Sequence, residues 1–211
     1  MNAKSTREAK KEVLRSFMVT SISQAAKEVF AERGYQGATL EDVAHRLGMS
    51  KATIYVYYKN KDDLFLHVVE ELVASSLEAT TRDAQAPKDP IEKLTGMVYN
   101  TLSFYERERD LFQIYLHEKH GLQVAPKDPH KRTLRDMYIQ AVDTLAGVLQ
   151  EGIDAGRIRP MDSRRLAFYL HEMMNSVLLQ RIQGKAKTSI DKDVSQLLDL
   201  FLRGAEQPSP S

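Results

Sequence analysis

The 211-residue chain contains no cysteine and no tryptophan. The absence of cysteine excludes disulfide bonds, thiol catalysis and every zinc or iron–sulfur site that needs a cysteine ligand. No apolar run approaches the ~20 residues that a membrane helix needs, and the N-terminus has no apolar signal-peptide segment. These absences predict a cytoplasmic protein that does not contact the membrane.

Segments in which apolar and polar residues alternate, as they do in strands, are also missing. Apolar residues instead recur every three or four positions, which is the pattern of amphipathic helices. The hydrophobic content of 42% and the charged content of 28% are ordinary for a globular protein. The sequence therefore predicts an all-α fold of about nine helices, three in an N-terminal head and six in a C-terminal body.

The chain is predicted to divide into a DNA-binding head, residues 1–60, and a ligand-binding and dimerisation body, residues 61–204. A long helix from Lys61 to about Thr80 opens the body and connects the two. Residues 205–211 are rich in proline and serine and are predicted to be a disordered tail.

Residues 1–15 form a basic N-terminal extension of the head. Two interpretations remain open: an arm that enters the DNA minor groove, or additional turns of the first helix. Glu8 and Glu12 alternate with the basic residues, which suits helical pairing and favours the second interpretation. Val13 and Phe17 are predicted on the buried side of this helix.

Residues 39–64 have the pattern of two short helices joined by a tight turn. Thr39 is a suitable N-cap, and Asp42 three residues later completes a capping box. Gly48 can adopt the left-handed conformation that follows a helix, and Ser50 can cap the second helix. This is the pattern of a helix-turn-helix, which places its second helix in the major groove of DNA.

The charge distribution agrees with this interpretation. Residues 1–61 contain 11 Lys and Arg against 6 Asp and Glu, whereas residues 62–211 contain 19 against 23. Between His45 and Lys61 there is no acidic residue at all. A solvated surface would explain the charge alone equally well. The turn pattern and the tyrosine hydroxyls nearby favour a surface that contacts phosphates.

The head resembles the TetR family of bacterial transcription regulators over about residues 20–66. The resemblance rests on Ala25-Ala26, Phe30, Gly34-Tyr35, Thr39, Val43-Ala44, Leu47-Gly48, Ser50, Thr53-Ile54-Tyr55, Tyr57-Tyr58, Lys61 and Leu64. It implies an all-helical homodimer that binds a palindromic operator in double-stranded DNA, most simply as a repressor. It also implies release of the DNA when a small, largely apolar effector enters the body.

The resemblance also assigns roles to residues of the helix-turn-helix. The positions that match base-facing residues are Lys51, Ala52, Thr53 and Tyr55, and the positions that match phosphate-contacting residues are Thr39, Ser50, Tyr57 and Lys61. The chemistry agrees, because a lysine can donate to guanine and a threonine can meet a thymine methyl group. Tyr58 is predicted to pack in the core instead.

Aromatic and methionine side chains of the body could line a cavity for an apolar ligand with one or two polar groups. A filled core would explain most of these residues equally well, and the resemblance favours the cavity. The candidates are Met97, Phe104, Phe112, Tyr115, Met137, Tyr138 and Met173.

The last two predicted helices carry wide apolar stripes. Paired with the same helices of a second copy, they would form a four-helix bundle across a two-fold axis. The alternative is that both stripes are buried within one chain. The candidates for the dimer interface are Leu170, Met174, Val177, Leu178, Leu197 and Phe201.

No pattern predicts catalysis, a metal site or a cofactor. His117 and His120 lie three residues apart on a helix, but a solvated pair near a helix C-terminus explains them better than metal binding does. The sequence contains no nucleophile elbow, phosphate loop or dinucleotide fingerprint. The interpretation is thus a regulator and not an enzyme; an architectural DNA-binding protein without a ligand site is the alternative.

Overall fold

A computed structural model describes residues 3–112, 129–184 and 188–205 of the chain. Eight helices lie within these residues: α1 (Ala3–Gly37), α2 (Leu40–Arg46), α3 (Lys51–Tyr55), α4 (Lys61–Ala84), α5 (Pro90–Arg107), α6 (Pro129–Asp154), α7 (Ser163–Ile182) and α8 (Ile190–Ala205). Residues 109–112 are helical as well, and the described residues contain no strand. The all-α prediction is confirmed. Tyr115, His117 and His120 lie outside the described residues, as does the predicted tail apart from Ala205, which is helical.

The local signals of the helix-turn-helix are found where the sequence predicts them. Thr39 caps α2 in a capping box with Asp42, and Ser50 caps α3 by accepting a hydrogen bond from the backbone N–H of Thr53 at 3.2 Å. Gly48 has a φ of +63° between the two helices, a conformation that side chains with a Cβ rarely adopt. Asn60 caps α4 in the same way as Ser50 caps α3.

The head has its own hydrophobic core, which extends beyond α1–α3. The first turns of α4 contribute Leu64, Phe65, Val68, Val69 and Leu72. Two residues of the body, Leu111 and Leu134, are also buried in this core. The head is therefore packed directly onto the body and is not joined to it by α4 alone.

The N-terminal extension is helical, because α1 runs without interruption from Ala3 as far as Gly34, whose φ is +66°. The prediction that Val13 and Phe17 are buried is wrong: their exposed fractions are 71% and 66%. Ile22, the first residue buried in the head core, comes five positions after Phe17. Five residues correspond to a rotation of about 140° around the helix axis, so the two side chains point to different sides of α1. The apolar stripe of the extension therefore lies away from the head core.

The body core is formed by α5–α8 together with Phe112 and with Ile158 of the α6–α7 connection. Its largest fully buried side chains are Phe112, Leu94, Met97, Leu102, Leu145, Leu149 and Ile158. α4 packs along α5 and α6. Because the first turns of α4 belong to the head core and its later turns face the body, α4 is a structural element of both parts.

Candidate nucleic-acid interface and helical cavity

The outer face of α3 is the most exposed helical surface next to the turn of the helix-turn-helix. Ile54 points inward and is fully buried, whereas Lys51 and Ala52 are exposed. Tyr55 is 49% exposed, and Val56, directly after the helix, is 77% exposed. Val56 was missed by the sequence analysis, although an exposed valine on such a face could contact a thymine methyl group.

Lys51 has a partner within the chain. Its ammonium group forms an ion pair with the carboxylate of Glu41 on α2, and its Nζ atom lies 6.0 Å from the centre of the Tyr55 ring. The hydrogen bond to Glu41 raises the pKa of Lys51. Both side chains are exposed, so the pair can open. Lys51 must therefore exchange Glu41 for a DNA acceptor in order to read a base.

Two of the predicted phosphate contacts, Thr39 and Ser50, are helix caps. Thr39 Oγ1 accepts from the backbone N–H of Asp42 at 3.1 Å and donates to its carboxylate at 2.7 Å. Ser50 Oγ lies 2.9 Å from Thr53 Oγ1. Each hydroxyl thus has a structural role that fixes the start of α2 or α3, and both residues are exposed at these helix starts.

The remaining predicted phosphate contacts follow α3. Lys61 Nζ donates to the backbone carbonyl of Tyr35 at 2.8 Å and lies 4.4 Å from the centre of its ring, so it ties α4 to the end of α1. Tyr57 is half-buried, and Tyr58 is only 6% exposed, as the sequence predicted. Burial raises the pKa of Tyr58.

Arg46, one of the basic residues of this segment, is turned away from α3. Its guanidinium group pairs with Glu28 at 2.9 Å and with Glu32, both on α1. The hydrogen bonds from Arg46 lower the pKa of both carboxyl groups. Arg46 therefore holds α2 against α1, and the cations beside α3 are Lys51, Lys59 and Lys61.

A cavity lies in the body between α4, α5, α6 and α7, with a volume of about 60 Å³. Its described lining is Val73, Ser76, Leu77, Thr80, Thr101, Tyr105, Phe112, Met137, Tyr138, Ala141, Leu145, His171, Met174, Asn175 and Leu178. This volume is enough for a few water molecules and far smaller than a drug-sized ligand. A larger ligand would have to move the helices that line it.

One wall of the cavity is polar. The Tyr138 and His171 rings meet edge to face with centres 4.9 Å apart, and Asn175 Nδ2 lies 3.1 Å from His171 Nδ1. Asn175 also donates to Glu172 at 3.2 Å. Burial, followed by the nearby Glu172 carboxylate, raises the pKa of Tyr138 to about 12. The remaining walls are mostly apolar, so the cavity suits a largely apolar molecule with a hydrogen-bonding group.

The structure places only part of the predicted pocket at this cavity. Phe112, Met137 and Tyr138 line it. Met97 is buried in the body core at 1% exposure, Met173 packs against that core, and Phe104 packs against the head core. These three do not line the cavity, because helical spacing places a residue on a face without showing which neighbouring helix that face meets.

Two signals in the sequence could have identified the missing walls. Ser76 and Thr80 are hydroxyl residues on the apolar side of α4, and both are buried. His171 and Asn175 likewise interrupt the apolar stripe of α7, one turn apart. Polar residues inside an otherwise apolar stripe are expensive to bury unless they have partners, so they often mark a cavity.

Five of the six predicted dimer residues lie inside the chain. Leu170, Met174, Leu178, Leu197 and Phe201 are buried within the chain itself, at 0–7% exposure. Their own chain already covers these side chains, which is the alternative arrangement of the two apolar stripes, so they leave little surface for a partner to cover. Val177 alone of the six is half-buried.

The apolar side chains that α7 and α8 do expose lie on another face of the same helices. They are Phe168 (46%), Tyr169 (50%), Leu179 (44%) and Leu200 (68%). Because these two helices are apolar on more than one side, one stripe fills the core while this outer face is left to solvent.

No helix in the described residues is both long and apolar enough to cross a membrane. In the same part of the chain, no three His, Asp or Glu side chains are grouped in a way that could hold a metal ion.

Similar proteins are transcription regulators. The fatty acid metabolism regulator protein of Bacillus subtilis is 28% identical over 146 residues, which cover 69% of this chain and 73% of that protein. A transcriptional regulator from Saccharomonospora viridis in complex with choline has a TM-score of 0.78 at 24% identity, covering 92% of this chain and 100% of that one. FadR from Bacillus subtilis in complex with stearoyl-CoA has a TM-score of 0.70 at 23% identity, covering 88% and 98%.

Two family domains match this chain; the first match ends within α4, and the second begins just after it. Residues 22–68 match the domain of bacterial regulatory proteins of the tetR family, which includes the helix-turn-helix. Residues 87–179 match a tetracyclin repressor-like C-terminal domain, which includes α5, α6 and most of α7. The chain therefore belongs to the TetR family of bacterial regulatory proteins.

Proposed function

We propose that this TetR-family protein is a ligand-responsive repressor that binds a palindromic operator as a homodimer and releases it when a small molecule enters the cavity. The observation that carries the proposal is the double role of α4. Its first turns form part of the head core, and its later turns line the cavity with Val73, Ser76, Leu77 and Thr80. A ligand that widens the cavity by displacing α4 moves the same helix that supports the DNA-binding head.

In the proposed complex, α3 lies in the major groove. Lys51, Thr53 and Tyr55 would read base edges, and Ala52 would allow close approach. Thr39, Ser50, Tyr57 and Lys61 would contact phosphates. The exposure of the outer face of α3 and the cations beside it support this arrangement.

The proposed dimer uses the outer face of α7 and α8, around Phe168, Tyr169, Leu179 and Leu200. Two such faces would pack across a two-fold axis, and the two heads would then read half-sites about one helical turn, ~34 Å, or a multiple of it apart. The support is the exposure of these four large apolar side chains, since large exposed apolar surface on a folded chain commonly marks a protein interface.

The proposed effector is a largely apolar molecule with a hydrogen-bonding group that meets His171 and Asn175. Because the cavity is small, binding would separate α4, α6 and α7 and change the spacing of the two heads. A ligand that prefers the separated state weakens operator binding by that difference in affinity. Such a regulator works on DNA in the cytoplasm and needs no catalytic group, and the similar regulators support this.

The primary test is selection of DNA from a random pool by the full-length protein. A repressor of this kind should enrich a palindrome whose half-sites are spaced by whole helical turns. Enrichment without a shared sequence would support an architectural DNA-binding protein instead and would reject the proposal.

A second test addresses the cavity with stearoyl-CoA and choline, the molecules bound by the two similar structures. Each would be titrated into the complex of protein and selected operator. Any release should be lost in Ala141→Phe, which fills the cavity, and kept in the matched variant Gln140→Phe, which adds the same ring on the exposed side of α6. Equal release by both variants would show that the cavity is not the effector site.

A further inference from the structure

His130, in the first turn of α6, lies between two carboxylates of α4. Its Nε2 atom is 3.0 Å from Asp63 Oδ1, and its Nδ1 atom is 2.9 Å from Glu70 Oε2. The three side chains are 16–23% exposed. Asp63 and Glu70 are two turns apart on α4, so a single imidazole ring ties the start of the body helix α6 to two points on the helix that leaves the head.

Asp63 connects this contact to the DNA-binding surface. Its other carboxylate oxygen, Oδ2, accepts the backbone N–H of Lys59 at 2.8 Å, and its own N–H donates to Asn60 Oδ1 at 2.8 Å. Lys59 lies in the turn between α3 and α4. The position of Asp63 therefore sets the backbone path directly after the helix proposed to read DNA.

The other end of the connection is the cavity. One turn after His130, Leu134 is buried in the head core, and two to three turns after it, Met137, Tyr138 and Ala141 line the cavity. A helix of this length moves as a rigid unit over a few turns. Displacement of α6 by a ligand would therefore pull directly on the contacts of His130.

We infer that His130 is a positioning residue whose bridge to Asp63 and Glu70 holds the head in the arrangement that binds the operator while the cavity is empty. This inference rests on the proposed function, because it assigns the empty-cavity arrangement to the DNA-bound state. No ligand needs to touch His130. The bridge is the contact through which movement of α6 reaches the turn after α3.

The charge of His130 determines the strength of the bridge. Burial disfavours the charged ring, but the hydrogen bonds to Glu70 and Asp63 and the charges of these groups raise its pKa. Titratable groups on the head side of His130 include His67, whose ring centre lies 6.5 Å from that of His130, and Tyr58 behind it. Glu71 follows, with its Oε1 atom 3.5 Å from His67 Nε2. Because the pKa is raised in the folded state, the bridge is strongest at low pH and weakens as pH rises through that value.

The experiment compares affinities for the selected operator and for scrambled DNA of equal length at constant ionic strength. The ratio would be measured over about pH 6 to 9, where a histidine with a raised pKa loses its proton. In the wild type the ratio should fall by about fivefold or more, the lower end of typical coupling between sites. His130→Gln should have a lower ratio of operator affinity to scrambled-DNA affinity than the wild type at every pH. His130→Lys remains charged throughout, so its ratio should not fall.

Matched controls separate this effect from general ones. Thr133→Ala changes an exposed side chain on the same helix, whose hydroxyl donates to the backbone carbonyl of Pro129. This variant should behave as the wild type does. His45→Gln replaces a histidine on the exposed surface of α2 and should change binding to both DNAs equally, leaving the fall in the ratio intact. Circular dichroism would establish that each variant is folded.

An unchanged ratio and pH profile in His130→Gln would overturn the inference, and so would a wild-type fall that persists in His130→Lys. If His130→Gln does not fold, Glu70→Gln tests the same bridge, because it should lower the ratio at low pH and reduce the fall. Failure of the wild type to select any DNA sequence would instead reject the proposed function, so the two failures are distinguishable.

Discussion

Leu200 and Phe201 are neighbours on α8 with opposite surroundings, and this makes them a matched pair for testing the proposed dimer. Leu200 is 68% exposed, whereas Phe201 is 7% exposed and belongs to the body core. We expect Leu200→Glu to leave a folded monomer that has lost operator binding. Phe201→Glu should instead unfold the body, because the carboxylate would be buried within the chain itself.

The magnitudes follow from the exposed fractions. Burying a whole leucine side chain is worth about 1.5–3 kcal/mol, so covering the exposed part of Leu200 would contribute about 1–2 kcal/mol in each chain, doubled by the two-fold axis. Leu200→Glu removes this contribution and adds an unpaired carboxylate at the interface, which costs several kcal/mol more. The two contributions together exceed about 4 kcal/mol, which weakens the association by more than about a thousandfold.

For Phe201, loss of the ring alone costs about 3–5 kcal/mol, and burial of a charge adds to it. Typical native proteins are stable by only about 5–15 kcal/mol. Sedimentation would measure the association of both variants, and circular dichroism would measure their helical content. A Leu200→Glu protein that remains a dimer and binds the operator with wild-type affinity would refute the proposed interface.

Three further predictions concern the head. Lys51→Ala should weaken binding to the selected operator much more than binding to scrambled DNA. Glu41→Gln should strengthen binding to both DNAs, because it releases Lys51 and removes a negative charge. Titration of each variant with both DNAs measures these affinities. Lys61→Ala and Tyr57→Phe should weaken binding to all sequences alike, and Lys61→Ala should also reduce the salt slope by about one unit, as measured at several salt concentrations. The hydrogen bonds to Glu71 lower its pKa from 4.5 to about 2 despite its burial, so its contribution to stability is complete above pH 4.5 and is lost as pH falls toward 2; thermal melts should show a smaller acid dependence in Glu71→Gln.

The head was predictable from the sequence because its signals are local. A cap and its partner three residues later, such as Thr39 with Asp42, act within one turn of helix and need no knowledge of the rest of the fold. The same holds for Gly48, whose left-handed conformation is required by the turn itself. Tyr58, just beyond α3, was predicted as a core residue and is only 6% exposed.

The body was predictable only as a set of helices. Met174 and Leu178 were interpreted as dimer residues, but they line the cavity, because which stripe of α7 meets which neighbour depends on how four helices pack. The ion pair of Lys51 with Glu41 was missed for the same reason, since it joins two helices across a turn. Helical period gives the faces of a helix, but pairing of faces is a property of the tertiary structure.

The exposed extension of α1 and the buried remainder of this continuous helix differ in local stability against opening of their hydrogen bonds. Residues 7–17 are exposed on every side, while burial in the head core begins at Ile22. An isolated helix of this length is marginally stable in water, so its hydrogen bonds can open without unfolding anything else. Amide hydrogen exchange should therefore be fast through the first turns of α1 and slow from about Ile22 onward, with the boundary set by tertiary burial and not by any break in the helix.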